Sequence, residues 1–368
     1  MLHFTSVEKF EREYSGRPIV LIGAGRRAQR VINEHSWNIK YAVDNNTDAI
    51  GKTLGEKKID VYGWAYLKNH YQENDILLIT PFLEYDELKK QLEKDFENAD
   101  IFVLTFMESL QWDADRIRQS NVPFKITKGT SPKIPKTIHY FWFSGDEYPD
   151  KVKRCIDSWH KYCPDYEFKL WSLDNYKTDN VFCNEALSKR VWAFASDFGR
   201  CDVLYRYGGI YLDTDVELIK PLDELLYDDG FFCFESASGV DPGSGMGSVK
   251  GNPIFAEICN QYEGIHFINE DGSYNKANIL EQYTSVLERH GLKRTGYYQN
   301  INNIAVYPSL VFSPYSYMTG IDSRYERTYG VHHWVSAWIT EEDRRMLEER
   351  KETISSYVDK HGGINSFI

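Results

Sequence analysis

Residues 17–46 read "RPIVLIGAGRRAQRVINEHSWNIKYAVDNN": a short apolar run, a glycine turn, an amphipathic stretch and a second apolar run ending near Asp44. The first run is long enough for a strand over 18–22, the stretch after the glycines has helical spacing, and the last run is again strand-like. A strand, a crossover helix and a strand can pack back on themselves only as a parallel pair, which excludes an all-helical or purely antiparallel N-terminal half. The same alternation continues in "DILLIT" (75–80), "EYDELKKQLEKDF" (84–96) and "IFVLT" (101–105). The expected fold there is α/β: a Rossmann-like, doubly wound parallel sheet.

A chain of 368 residues exceeds what one compact core holds, so a second domain is expected. Between 121 and 136, "NVPFKITKGTSPKIPK" carries three prolines and no amphipathic period, the composition of a linker. The expected division is an accessory domain over 1–125, a linker over 126–136 and a second α/β domain over 137–368. That domain opens with a strand over 137–143, a helix over 149–165, the strand "YEFKLWS" and a long helix over 184–207, and it closes with a helix over "EEDRRMLEERKETISSYVDK".

A formal charge of -12 repels polyphosphate and anionic membranes, so nucleic acid is not an expected partner. Aromatic side chains make up 15% of the chain, which suits surfaces that stack on sugars or bases. The six cysteines, at 155, 163, 183, 201, 233 and 259, form no CxxC pair and read as reduced, buried thiols. No basic and apolar leader opens the sequence, and no window approaches the ~18 apolar residues that span a bilayer. A cytoplasmic protein is expected, with peripheral association at the inner membrane face left open.

The stretch "GGIYLDTDV" (208–216) adds two carboxylates to an already acidic chain. On a strand, Asp213 and Asp215 would point to one side with Cα atoms roughly 6.5 Å apart. Two like charges that close repel by about 4 kcal/mol at an effective dielectric near 20, and a divalent cation turns that repulsion into attraction. Hard oxygen ligands favour Mg²⁺ or Mn²⁺. Upstream, in "ASDFGRCDVLYRYGG", Asp197 and Arg200 stand three apart on one helical face, and Gly208 and Gly209 permit a tight helix-to-strand reversal.

These stretches, with "IPKTIHYFWFSG" (134–145), "YPSLVFSPY" (307–315) and "HHWVSAW" (332–338), resemble the DXD-containing sugar transferases of glycosyltransferase family 32. That group includes fungal initiating α-1,6-mannosyltransferases and bacterial capsule-synthesis transferases, and the glucosylating bacterial toxins share its core pattern. The resemblance covers residues 134–340 and implies a GT-A type nucleotide-sugar fold. It implies that Trp142 stacks on the donor base, and that Asp197 and Arg200 hold the donor sugar, with Arg200 also facing the diphosphate. Asp213 would bind ribose or sugar hydroxyls and Asp215 would ligate the metal. Ser336 and Trp338 match a loop that closes over the diphosphate, and either His332 or His333 falls where a further metal ligand sits. The implied activity is metal-dependent, retaining transfer of a sugar from a nucleoside-diphosphate sugar to a glycan or lipid-linked acceptor, in capsular or surface polysaccharide synthesis. Either internal return or a covalent intermediate would fit retention.

Other parts of the second domain have weaker claims. The loop 236–253 is expected to border the acceptor, and Glu235, at the end of the preceding strand, to serve as a structural acid or to touch a sugar. In the N-terminal domain, "GAGRRA" fits G-x-G-x-x-A after a strand, and Asp44 lies 21 residues beyond Gly23. Gly23, Gly25 and Asp44 are therefore candidate nucleotide-binding residues, and an NAD(P)-dependent oxidoreductase is the rival function. A structural module and a nucleotide or nucleotide-sugar binder are the other two readings of that domain. A two-metal phosphodiesterase would need further His and Asp ligands near 213–215, and the sequence holds no such cluster there.

Overall fold

The computed structural model describes residues 1–82, 85–276, 278–335 and 341–367. The chain forms two compact units. The first begins with β1 (Leu2–His3), α1 (Val7–Glu13), β2 (Ile19–Ile22), α2 (Arg26–Glu34), β3 (Ile39–Val43), β4 (Thr53–Leu54) and β5 (Ile59–Tyr62). It continues through α3 (Trp64–His70), β6 (Ile76–Ile79), α4 (Tyr85–Asp95), β7 (Asp100–Val103) and into α5 (Leu104–Asn121). One seven-stranded sheet runs β1-β7-β6-β2-β3-β5-β4, every pair parallel except β4 with β5. It is larger than the text of residues 1–120 suggests, because β1 and β4 are two residues long, too short to show a pattern, and Asp60 interrupts the apolar run of β5.

Along β2, Val20 and Ile22 enter one core while Ile19 and Leu21 enter another, and β6 divides in the same way. A sheet buried on both faces explains why these strands read as unbroken apolar runs instead of alternating ones.

The second unit is built from β8 (Thr137–Phe141), α6 (Asp150–Tyr162), β9 (Glu167–Trp171), α7 (Val181–Ser188), α8 (Trp192–Tyr207), β10 (Gly209–Tyr211) and β11 (Val216–Leu218). There follow β12 (Gly230–Ser236), β13 (Gly239–Val240), β14 (Met246–Ser248), α9 (Pro253–Asn260), α10 (Ile279–Arg289), β15 (Gln299–Ile301), β16 (Ile304–Tyr307) and β17 (Gly330–His332). Its mixed sheet runs β15-β16-β12-β14-β10-β8-β9, with β13 pairing on β12, while β11 and β17 make a separate antiparallel pair. The long helix expected over 184–207 is two helices: the chain turns at Arg190, which has a positive φ of 58°. A parallel sheet followed by a mixed α/β sheet is the expected tandem of Rossmann-like and GT-A architecture.

The division between units falls after Ala114, inside α5, ahead of the proline-rich stretch expected to mark it. The last helix, α11 (Glu341–Lys360), groups with the first unit instead of the second. Ile354, Val358 and Phe367 are buried in the same core as Val20 and Ile79.

Candidate functional site

Strand β10 runs parallel to β8, with Ile210 opposite Ile138 and Tyr211 opposite His139, so the chain leaves β10 at the C-terminal edge of the sheet. Parallel strands bind ligands at that edge. The entry to β10 is tight. Gly208 has φ 71° and ψ -174°, Gly209 has φ 106°, and a Cβ on Gly209 would come within 2.7 Å of the Thr137 carbonyl oxygen. The aspartates themselves do not lie on a strand. They belong to a turn between β10 and β11, closed by the Val216 amide donating to the Asp213 carbonyl at 3.0 Å, with Asp213 opening it and Asp215 inside it, and the turn gathers the two carboxylates that strand alternation was expected to align.

Helix α8 delivers the basic partner. The Arg200 guanidinium is 3.3 Å from Asp197 Oδ1 and 3.3 Å from Asp213 Oδ1, so it bridges the helix and the turn. Tyr211 donates its hydroxyl to Asp213 Oδ1 at 2.7 Å, and its ring lies under Arg200 at 5.1 Å. Burial pushes the Asp197 carboxyl up to about 7, against the opposing pull of Arg200, and burial likewise raises Asp213. The Asp197 carbonyl accepts from Tyr283 Oη at 3.1 Å, which anchors this turn of α8.

On the other side of the turn, His332 Nε2 lies 3.3 Å from Asp215 Oδ1 and Nδ1 lies 3.2 Å from Asp241 Oδ2. The Val335 amide donates to Asp215 Oδ2 at 2.8 Å. Burial works to lower the imidazole's pKa, but the two carboxylates hold it well above its ordinary value. Burial works to raise Asp215, and His332 brings it down to about 2. His333 turns away to Glu217 Oε2 at 2.9 Å, so the fold brings His332, and not His333, to the aspartates. The pairing of Val216 with His332 in the β11–β17 ribbon decides this, because neighbouring residues on a strand face opposite ways.

Asp213, Asp215 and His332 each offer a ligand atom, and these atoms lie within 4.8 Å of one another. Two carboxylates and one imidazole suit a hard or borderline divalent cation, and the Asp241–His332 hydrogen bond is the orienting contact that ligating histidines use. The set fits a metal of that kind.

Trp142 follows β8 directly, at the same sheet edge; its indole Nε1 donates to the Asp146 carbonyl at 2.7 Å and its ring meets Tyr148 edge-on. Ser336 and Trp338 lie outside the described residues. Glu235 sits near the end of β12 at a bulge between Phe234 and Ser236, and burial raises it to about 7. Gly23, Gly25 and Asp44 line one cavity of the first unit.

Sequence reasoning missed Asp241 and Gly243. The Gly243 carbonyl accepts from the Asp213 amide at 3.0 Å, and a Cβ at Gly243 would collide with the Asp213 carboxylate. Within the loop 236–253, residues around Gly243 thus pack on the acidic turn itself. The loop's glycine-rich text was the available signal.

Residues 149–232 match the family described as "Glycosyltransferase sugar-binding region containing DXD motif". The chain is 36% identical over 143 residues to inositol phosphoceramide mannosyltransferase 3 of Schizosaccharomyces pombe, covering 36% of this chain and 38% of that protein. It is 33% identical over 161 residues to mannosyl phosphorylinositol ceramide synthase CSH1 of Saccharomyces cerevisiae, covering 40% and 41%. It is 23% identical over 214 residues to subversion of eukaryotic traffic protein A of Legionella pneumophila, covering 50% and 32%. The chain thus spans well under half the length of these curated relatives. It is a distant relative of DXD-motif glycosyltransferases.

Proposed function

We propose that the second unit is a metal-dependent, retaining glycosyltransferase that moves a sugar from a nucleoside-diphosphate sugar to a glycan or lipid-linked acceptor, in surface or capsular polysaccharide synthesis at the cytoplasmic side of a membrane. The observation that carries this reading is the convergence of Asp213, Asp215 and His332 with the Asp197–Arg200 pair at one sheet edge. No described helix is long and apolar enough to cross a membrane, which suits peripheral action on a lipid-linked acceptor.

Breaking a sugar–phosphate bond leaves negative charge on the departing diphosphate, so the reaction goes fastest where fixed positive charge awaits it. A divalent cation held by Asp213, Asp215 and His332 would supply a Lewis acid for that charge. Arg200 provides a second, permanent cation whose position is fixed by Asp197 and Asp213. Asp213 retains an oxygen for hydroxyls of the ribose or the sugar, since Tyr211 and Arg200 meet only its Oδ1. Asp241 holds the His332 ring in place. Trp142, directly after β8, would stack on the base. The names of the fungal relatives make a mannosyl donor and an inositol phospholipid acceptor the first pair to try.

The test is release of nucleoside diphosphate from a panel of UDP- and GDP-sugars with Mn²⁺ or Mg²⁺. One donor should be turned over, and Asp215→Asn should cut that turnover roughly a hundredfold or more while the protein stays folded. Undiminished turnover in Asp215→Asn defeats the reading.

A further inference from the structure

The glycine turn of the first unit has no part in sugar transfer as derived above. It opens on a cavity of about 550 Å³ beside β2, whose sheet neighbours are β3 on one side and β6 on the other. Crevices at such a branching of a parallel sheet are where open α/β sheets take ligands, and the volume lies in the ordinary range for ligand pockets.

The two glycines of the turn differ in what the fold demands of them. Gly23 has φ 100°, and a Cβ there would sit 2.7 Å from the Pro81 ring, so the chain itself requires glycine. Gly25 has φ -81° and ψ -169°, a conformation open to any residue, and a Cβ there would meet no heavy atom within 4 Å. It is also the N-cap of α2, without a side-chain hydrogen bond, where Ser or Asp would satisfy an orphan amide. Among the described residues, nothing fills the place a side chain would take there. A group approaching the backbone from outside would account for the glycine, and the first amides of the nine-residue α2, with no carbonyl behind them, would meet it.

The cavity wall supplies complementary chemistry. Arg26 is exposed and has no hydrogen-bond or ion-pair partner among the described residues, whereas Arg27 is engaged by Glu108. Asp44 is fixed by two amides, Ala24 N–H to Oδ2 at 2.7 Å and Asn46 N–H to Oδ1 at 2.8 Å, which leaves one lone pair on each oxygen for vicinal hydroxyls. Val43, Trp64 and Leu88 add apolar surface.

We infer that this cavity binds a mononucleotide, with its phosphate against Gly25 and Arg26, its ribose hydroxyls on Asp44 and its base on the Val43–Trp64 wall. A dinucleotide fits less well, because the Ala24 amide is already taken by the Asp44 carboxylate and a second phosphate on the turn would face that negative charge.

The site lies in the first unit and does not depend on the transferase reading. The experiment is calorimetric titration of the full chain, with EDTA present, against UMP, CMP, AMP, GMP, NADH and inorganic phosphate. Gly25→Ala and Arg26→Gln are compared with wild type, and Asp215→Asn controls for binding in the second unit. One mononucleotide should bind more tightly than NADH and inorganic phosphate. Gly25→Ala should keep the wild-type melting temperature yet weaken that binding roughly ten- to a hundredfold, Arg26→Gln should weaken it about tenfold, and Asp215→Asn should leave it unchanged. Binding that survives Gly25→Ala, tighter binding of NADH, inorganic phosphate binding as tight as any nucleotide, or no binding at all each overturns the proposal.

Discussion

His139 is buried between two partners that fix its protonation state. Its Nε2 donates to the Gly208 carbonyl at 2.9 Å, and its Nδ1 accepts from Trp171 Nε1 at 3.1 Å. A protonated ring would set a second N–H against the indole, and burial accordingly pushes the imidazole down to about 4, against the opposing pull of the Gly208 carbonyl. The unfolded chain takes up this proton near 6.5 and the folded one only near 4, so stability is full above 6.5 and is lost as pH falls through that window. The loss expected from this residue is about 3 kcal/mol, read from denaturant midpoints between pH 7 and 4. Asp241 makes a second prediction at this scale: Asp241→Asn removes the carboxylate that orients His332, and Mn²⁺ affinity should fall roughly ten- to a hundredfold in a metal titration. Asp197 and Arg200 were legible because a helical period is local. Asp241 was not, because its contact with His332 joins residues 91 apart through the fold.

At the scale of elements, the strands with a continuous apolar run and the helices with an amphipathic one appear where the sequence placed them, as with β2, α2, β3, β6 and α4. The acidic turn shows what local pattern leaves out. "YLDTDV" alternates like a strand, yet the Asp213–Val216 hydrogen bond turns the chain there, and the choice between His332 and His333 depended on a strand pairing no local period encodes. Gly208 makes the turn's upstream support testable. Its φ of 71° with ψ of -174° is a region essentially reserved for glycine, and a Cβ would approach the Lys250 amide nitrogen to 2.7 Å. Gly208→Ala should cost about 2–4 kcal/mol, combining backbone strain with the collision, and a melting curve within a degree of wild type would contradict it.

At the scale of the whole molecule, the α/β class and the presence of two units could be read from strand–helix alternation and from length. The allotment of α11 could not, because its apolar positions are sparse and fit either unit equally well by pattern alone. Ending the chain at residue 335 should remove Ile354, Val358 and Phe367 from the first core, a loss on the order of 5 kcal/mol. Hydrogen exchange should then accelerate in β6 and β7 while β8 and β10 keep their protection.

That shared core also bears on biosynthesis. The strands β2 to β7 leave the ribosome early, but the residues that seal one of their apolar faces are translated after the entire second unit. At ordinary elongation rates the gap is roughly ten to fifty seconds. During it the later-made unit can mature first, while the earlier one waits with greasy surface bare.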